Sequence, residues 1–268
     1  MGIYNSSHTR VRPFFNTLLD RDRGGASWLT KLLALGHNEQ ALSSALLADP
    51  GLLHPTHIDK ERRLSPPKEF LKWLILNPEK MTWPGNGTAR FGTETQQWRE
   101  KLMGRQDLSR EPFDRRDEIR DADRKTAIAE GLRGLDQFGP AGSRMKWWAF
   151  EGFTAVDCYL ATDKLKIYVE GKFTDVLSPS TNWYRNRNQL MRNLESAQAD
   201  AKGDPFVCLL ITEDEPLGIL DAKKIQSSLP HLAHAQQQDL MLHFLGATTW
   251  RQACLATGVN YGSLASTV

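Results

Sequence analysis

Cysteine is scarce in this chain, three residues in 268, and Cys158, Cys208 and Cys254 form no CxxC pair. An odd number without ligand spacing argues against a disulfide framework, and two of the three lie inside apolar runs, so all three read as reduced and buried. No stretch approaches the roughly 18 apolar residues of a membrane span. The first residues also lack a basic region followed by an apolar one. A cytoplasmic protein without a membrane partner is the expectation. A charge excess is missing too: 34 Lys and Arg stand against 32 Asp and Glu, a net +2. Any nucleic-acid surface must therefore be a local patch. There are no repeats or low-complexity tracts, and 40% apolar with 25% charged residues is ordinary soluble composition.

What the chain does have is concentrated between Phe150 and Asn193. Two apolar runs, Thr154 to Thr162 and Leu165 to Lys172, are rich in β-branched and aromatic residues and separated only by Asp163 and Lys164. That predicts a β-hairpin. With those two as the turn, Leu160 faces Ile167, Cys158 faces Val169, and Asp157 faces Glu170. A one-residue slip breaks the match of apolar with apolar, whereas a two-residue slip keeps the faces. Opposed carboxylates about 5 Å apart at Cβ repel, and a divalent cation offsets this because hard Mg²⁺ or Mn²⁺ prefers carboxylate oxygens. Lys172, two residues beyond Glu170, falls on the same strand face. From there its ammonium could orient or deprotonate a water, or stabilise charge on a phosphorane.

Asp157 followed thirteen positions later by Glu170-Gly171-Lys172 resembles the PD-(D/E)xK nuclease superfamily, with Val156 in place of the proline. Trp183-Tyr184 and the run Arg187-Asn188-Gln189-Leu190-x-Arg192-Asn193-Leu194 are similar to an uncharacterised bacterial group placed in that superfamily. The resemblance spans roughly residues 117 to 213. It implies a restriction-endonuclease-like αβββαβ core with a mixed sheet, a metal held by Asp157, Glu170 and the carbonyl of Gly171, catalytic roles for Lys172 and Gln189, and DNA rather than RNA as substrate. A further acid from the preceding helix is part of the same implication. Glu118 and Glu130 are the candidates, although Glu130 lies roughly 200° around the helix from Ile128 and reads as surface. Glu151, at the bend before the second strand, is another candidate ligand.

Outside this centre, residues 1–25 read as a polar arm with arginines around a short apolar island. Helical spacing follows at Trp28 to Leu35 and at Ala41 to Leu46. Ser65-Pro66-Pro67 opens a helix with Ser65 as its cap, and a further helix lies near Glu94 to Met103. His54-Pro55-Thr56-His57 lacks metal-ligand partners and reads as a loop. Asp114 to Asp136 should be the helix before the sheet, Arg144 to Glu151 the first strand, and Trp183 to Ala201 the helix after the third. On that last helix Arg185, Gln189 and Arg192 make a polar stripe, with Arg185, Arg187 and Arg192 as candidate contacts to the nucleic-acid backbone. Pro205 to Thr212 reads as a buried strand and everything from Leu217 as helical. Trp250 to Leu264 vaguely resembles half of a helix-turn-helix, and packing onto the core is the preferred reading.

The expectation is an α/β protein with a helical region at 1–113, a nuclease-like core at 114–215 and a helical extension at 216–268. Its activity is expected to be Mg²⁺- or Mn²⁺-dependent hydrolysis of nucleic acid. The alternative is a catalytically silent module that binds nucleic acid or protein. A homodimer is compatible with either.

Overall fold

The computed structural model describes residues 7–38, 40–41, 55–83, 93–140, 148, 150–174, 176–215 and 220–264. Among the described residues the centre is a mixed sheet of five strands whose spatial order follows the chain: β1 (Pro55–Leu64), β2 (Thr154–Thr162), β3 (Lys166–Gly171), β4 (Phe206–Thr212) and β5 (Phe244–Thr249). The first three strands pair antiparallel and the last three parallel. The hairpin register is the expected one, Leu160 with Ile167 and Cys158 with Val169.

Helices α1 (Arg12–Arg21), α2 (Leu29–Leu33) and α9 (Trp250–Thr257) cover one sheet face. Phe14, Phe15, Leu18, Leu29 and Trp250 pack there on Cys158, Leu160, Ile167, Val169 and Ile211. The helix α6 (Gln189–Ala201), which crosses from β3 to β4, covers the other face with Leu190, Met191, Leu194 and Ala197 against Val156, Tyr159, Tyr168 and Leu210. A third cluster lies among α3 (Lys68–Leu76), α4 (Thr93–Met103) and α5 (Arg116–Phe138) and takes in Trp148, Phe150, Trp183 and Tyr184. The short α7 (Ala222–Ser228) and α8 (His234–Met241) lead into β5. Among the described residues no helix is long and apolar enough to cross a membrane.

Several expectations are corrected. The strand beside β2 comes from residues 55–64, in a region expected to be helical with a loop at 54–57, and His57 pairs there with Ala161. Most of the expected first strand, Arg144 to Glu151, lies outside the described residues, as do residues 42–46 of the second expected N-terminal helix. Polar composition suggested a solvated arm, yet Val11, Phe14, Phe15 and Leu18 are fully buried. Its apolar island is short but lies wholly on one helix face. The cap before α3 is Pro67, with no side-chain bond, rather than Ser65. Phe244 and Leu245 belong to β5 rather than to a helix. The three expected segments thus contribute to one sheet: 1–113 supplies β1, 114–215 supplies β2 to β4, and 216–268 supplies β5.

Candidate active site

The carboxyl end of β3 carries Glu170, Gly171 and then Lys172, and the chain extends in register with β4, since Lys172 N–H donates to the Ile211 carbonyl at 2.8 Å. Strand alternation then turns the peptide edge of Gly171 toward β2. Asp157 Oδ2 accepts the Gly171 N–H there at 2.9 Å, so Asp157 binds the peptide that joins Glu170 to Gly171. The ladder between β1 and β2 runs from His57 to Lys60 and again from Arg62 to Leu64; between these stretches Glu61 has φ +80°. Val156 and Cys158 pack on opposite faces of the sheet. Strict alternation is therefore interrupted at Asp157, whose carboxylate sits at the seam between β2 and β3 rather than squarely opposite Glu170 on one face.

Glu170 projects toward α6 and is 4% exposed. Its Oε1 accepts from Gln189 Nε2 at 2.7 Å and pairs with Lys172 Nζ at 2.9 Å, and its Oε2 accepts from Asn193 Nδ2 at 2.9 Å. Each of the two amides is itself held. The Ser178 N–H donates to Gln189 Oε1 at 3.1 Å, and the Thr154 hydroxyl donates to Asn193 Oδ1 at 2.5 Å. Asn188 caps α6 by accepting from Leu190 N–H and Met191 N–H, which places Gln189 in its first turn and Asn193 one turn on. Burial, reinforced by the charge of Glu170, pushes the thiol of Cys208 well above its ordinary range.

Behind the strand, Trp250 Nε1 donates to the Lys172 carbonyl at 2.8 Å. A Cβ on Gly171 would lie 2.4 Å from Val11 Cγ2 and 2.8 Å from Trp250 Cζ2. The glycine between the acid and the lysine is thus required by packing on the far face, whatever its carbonyl does.

Lys172 and Gln189 both meet Glu170, Asp157 accepts the Gly171 N–H, and the arginines and outlying acids divide. Arg187 is fully buried, with Nε on Glu151 Oε2 at 2.8 Å, Nη1 on Glu195 Oε2 at 2.8 Å and its guanidinium 3.8 Å above the Phe70 ring. It is a core residue and is withdrawn as a nucleic-acid contact. Burial opposes its charge, but Glu151 and Glu195 overcome that and raise its pKa. Glu151, committed to this ion pair and 2% exposed, is likewise withdrawn as a metal ligand. Arg192 is half-buried, donating to the Phe153 carbonyl at 3.1 Å with Nε 3.6 Å from Glu151 Oε1. Burial lowers its pKa, partly offset by Glu151 and Glu170. Arg185 is exposed and precedes α6, so the expected stripe of 185, 189 and 192 does not exist as one helix face. Glu130 is half-buried on α5, which packs chiefly on α4 and α3. Glu118, also on α5, is exposed.

Asn193, Thr154 and Trp250 were missed. Gln189 and Asn193 stand at i and i+4, a spacing that puts both on one helix face. Among the described residues no group of three or more His, Cys, Asp or Glu is placed to hold a metal. Asp157 and Glu170 offer two carboxylates, with the Gly171 peptide edge beside them. No protein-family model, curated protein or solved structure matches the chain.

Proposed function

We propose that the chain is a metal-dependent nuclease of restriction-endonuclease-like fold, acting on phosphodiester bonds of nucleic acid and on DNA first. The observation that carries this reading is the convergence of three groups on one peptide: Asp157 accepts its N–H, Glu170 precedes it, and Lys172, one residue beyond Gly171, reaches back to Glu170 at 2.9 Å. Support comes from the strand order, with three antiparallel strands, a helix and a parallel fourth. The resemblance of Asp157 and Glu170-Gly171-Lys172 to the PD-(D/E)xK pattern adds to it. The position also favours a ligand site, at the carboxyl end of a strand where parallel pairing begins.

The donor set fits a hard cation. Mg²⁺ is commonly held by one or two carboxylates and completed by water and substrate phosphate, and two carboxylates with a main-chain carbonyl suit it. Asp157, Glu170 and the carbonyl of Gly171 would hold Mg²⁺ or Mn²⁺. When bound, the cation supplies neutralisation of phosphate charge and a more acidic water. Lys172, an ammonium paired with Glu170, would orient an attacking water or stabilise charge developing on the phosphate, Gln189 would position the water or a phosphate oxygen, and Arg185 and Arg192 would contact the backbone.

The test is a Mn²⁺ titration with single- and double-stranded DNA and RNA. Glu170→Gln and Lys172→Ala should each lose at least about 100-fold in cleavage, the scale of acid–base and electrostatic assistance, with unchanged circular dichroism. Full activity in either variant refutes the assignment. A second reading, a silent binding module, is favoured by the three donors that already satisfy Glu170. It requires nucleic-acid binding that EDTA leaves intact and no turnover with any metal.

A further inference from the structure

Glu170 receives two side-chain amides from α6, and both are oriented from behind. An amide can turn either its oxygen or its NH₂ group toward a neighbour, and only the NH₂ group suits a carboxylate. For Gln189 the choice is made by the main chain, because the Ser178 N–H occupies Oε1. For Asn193 it is made by one hydroxyl, because Thr154 Oγ1 donates to Oδ1 at 2.5 Å and leaves Nδ2 for Glu170 Oε2 at 2.9 Å. Thr154 and Asn193 are 3% and 2% exposed, so water cannot readily replace either bond. With Oε2 taken by a neutral donor, the carboxylate plane is set and Oε1 is the oxygen left to Lys172 and Gln189.

We infer that Thr154 and Asn193 are positioning residues for the metal site: the hydroxyl locks the amide, and the amide aims Glu170. This rests on the metal-dependent reading of Asp157 and Glu170. Neither residue touches the reacting atoms. Groups that orient a metal ligand through one hydrogen bond typically alter metal affinity by about 10–100-fold when removed.

The inference is tested by calorimetric titration of Mn²⁺ into the full chain without nucleic acid. Thr154→Val keeps shape and removes the hydroxyl, so Mn²⁺ binding should weaken about tenfold or more. Thr154→Ser restores the hydroxyl and should bind within about twofold of wild type. Asn193→Leu, which removes the amide itself, should match Thr154→Val and serves if the valine variant fails to fold. Wild-type affinity in a folded Thr154→Val or Asn193→Leu, or equal loss in Thr154→Ser, overturns the inference alone. Wild-type protein whose Mn²⁺ binding is absent, or is unaffected by Glu170→Gln, overturns the metal reading and this inference with it.

Discussion

Two charged clusters lie near each other on the α6 side of the sheet, and they differ in what their charges face. Arg187 is enclosed by Glu151, Glu195, the Ser228 carbonyl and the Phe70 ring, and His231 Nε2 lies 2.6 Å from Glu195 Oε1. Removing one member leaves opposite charges buried without compensation, so Arg187→Ala should cost about 3–5 kcal/mol, read as a fall in the urea midpoint. Glu195 supplies a pH dependence. Burial alone would raise its carboxyl, but Arg187 and then His231 outweigh this and hold it below its ordinary 4.5. A carboxyl depressed in the folded state contributes stability that is complete above the unfolded value and is lost as pH falls through the folded one. The melting temperature should therefore decline as pH drops below about 4.5, less steeply in Glu195→Gln. Arg187 and Glu151 also show why residue type alone misled. Nothing in an arginine beside a nuclease motif tells whether it faces phosphate or a partner 36 residues away in sequence.

At the level of elements, the stretch bearing Glu170 and Lys172 is clamped from behind by Val11 before α1 and by Trp250 at the start of α9. Val11 and Trp250 occupy the space a side chain at Gly171 would need, and Trp250 bonds the Lys172 carbonyl. Gly171→Ala should destabilise by about 1–3 kcal/mol, the scale of an overpacked core. Trp250→Phe leaves a buried carbonyl without its donor and should cost about 1–3 kcal/mol. Chemical denaturation measures both, and a stable Gly171→Ala would show that the clamp yields. The hairpin was legible because a two-residue turn and period-two patterning specify register locally. The start of α6 was not, because Trp183 and Tyr184 have helix-compatible spacing, yet they belong to the cluster under α3. That packing overrides local pattern.

For the whole molecule, the sheet gathers strands from all parts of the chain. A fragment of residues 114–215 retains β2, β3 and β4 but loses β1, β5, α1, α2 and α9. It would expose Cys158, Leu160, Ile167, Val169, Val207, Leu209 and Ile211, whose covering side chains lie on the missing helices. At about 1.5–3 kcal/mol for each large apolar side chain, the loss is as large as the roughly 5–15 kcal/mol by which whole domains are stable. The fragment should give no cooperative unfolding transition and few dispersed amide resonances, and a well-dispersed spectrum would show that residues 114–215 fold as a unit of their own.

The sequence alone determined what is local or periodic: the β2–β3 register, the buried β4, the long α5, and the nearness of Glu170 and Lys172 at the end of β3. Each follows from spacing within one element or one tight turn. Tertiary structure decided which distant segments complete that unit, because pairing of β1 with β2 across some ninety residues and docking of α1 and Trp250 behind Gly171 depend on complementary surfaces that no single window contains. It also decided that Arg187 is buried, that Asp157 sits at a seam, and that Asn193 meets Glu170. Burial and partner choice are properties of the assembled faces, whereas propensity and pattern act along the chain.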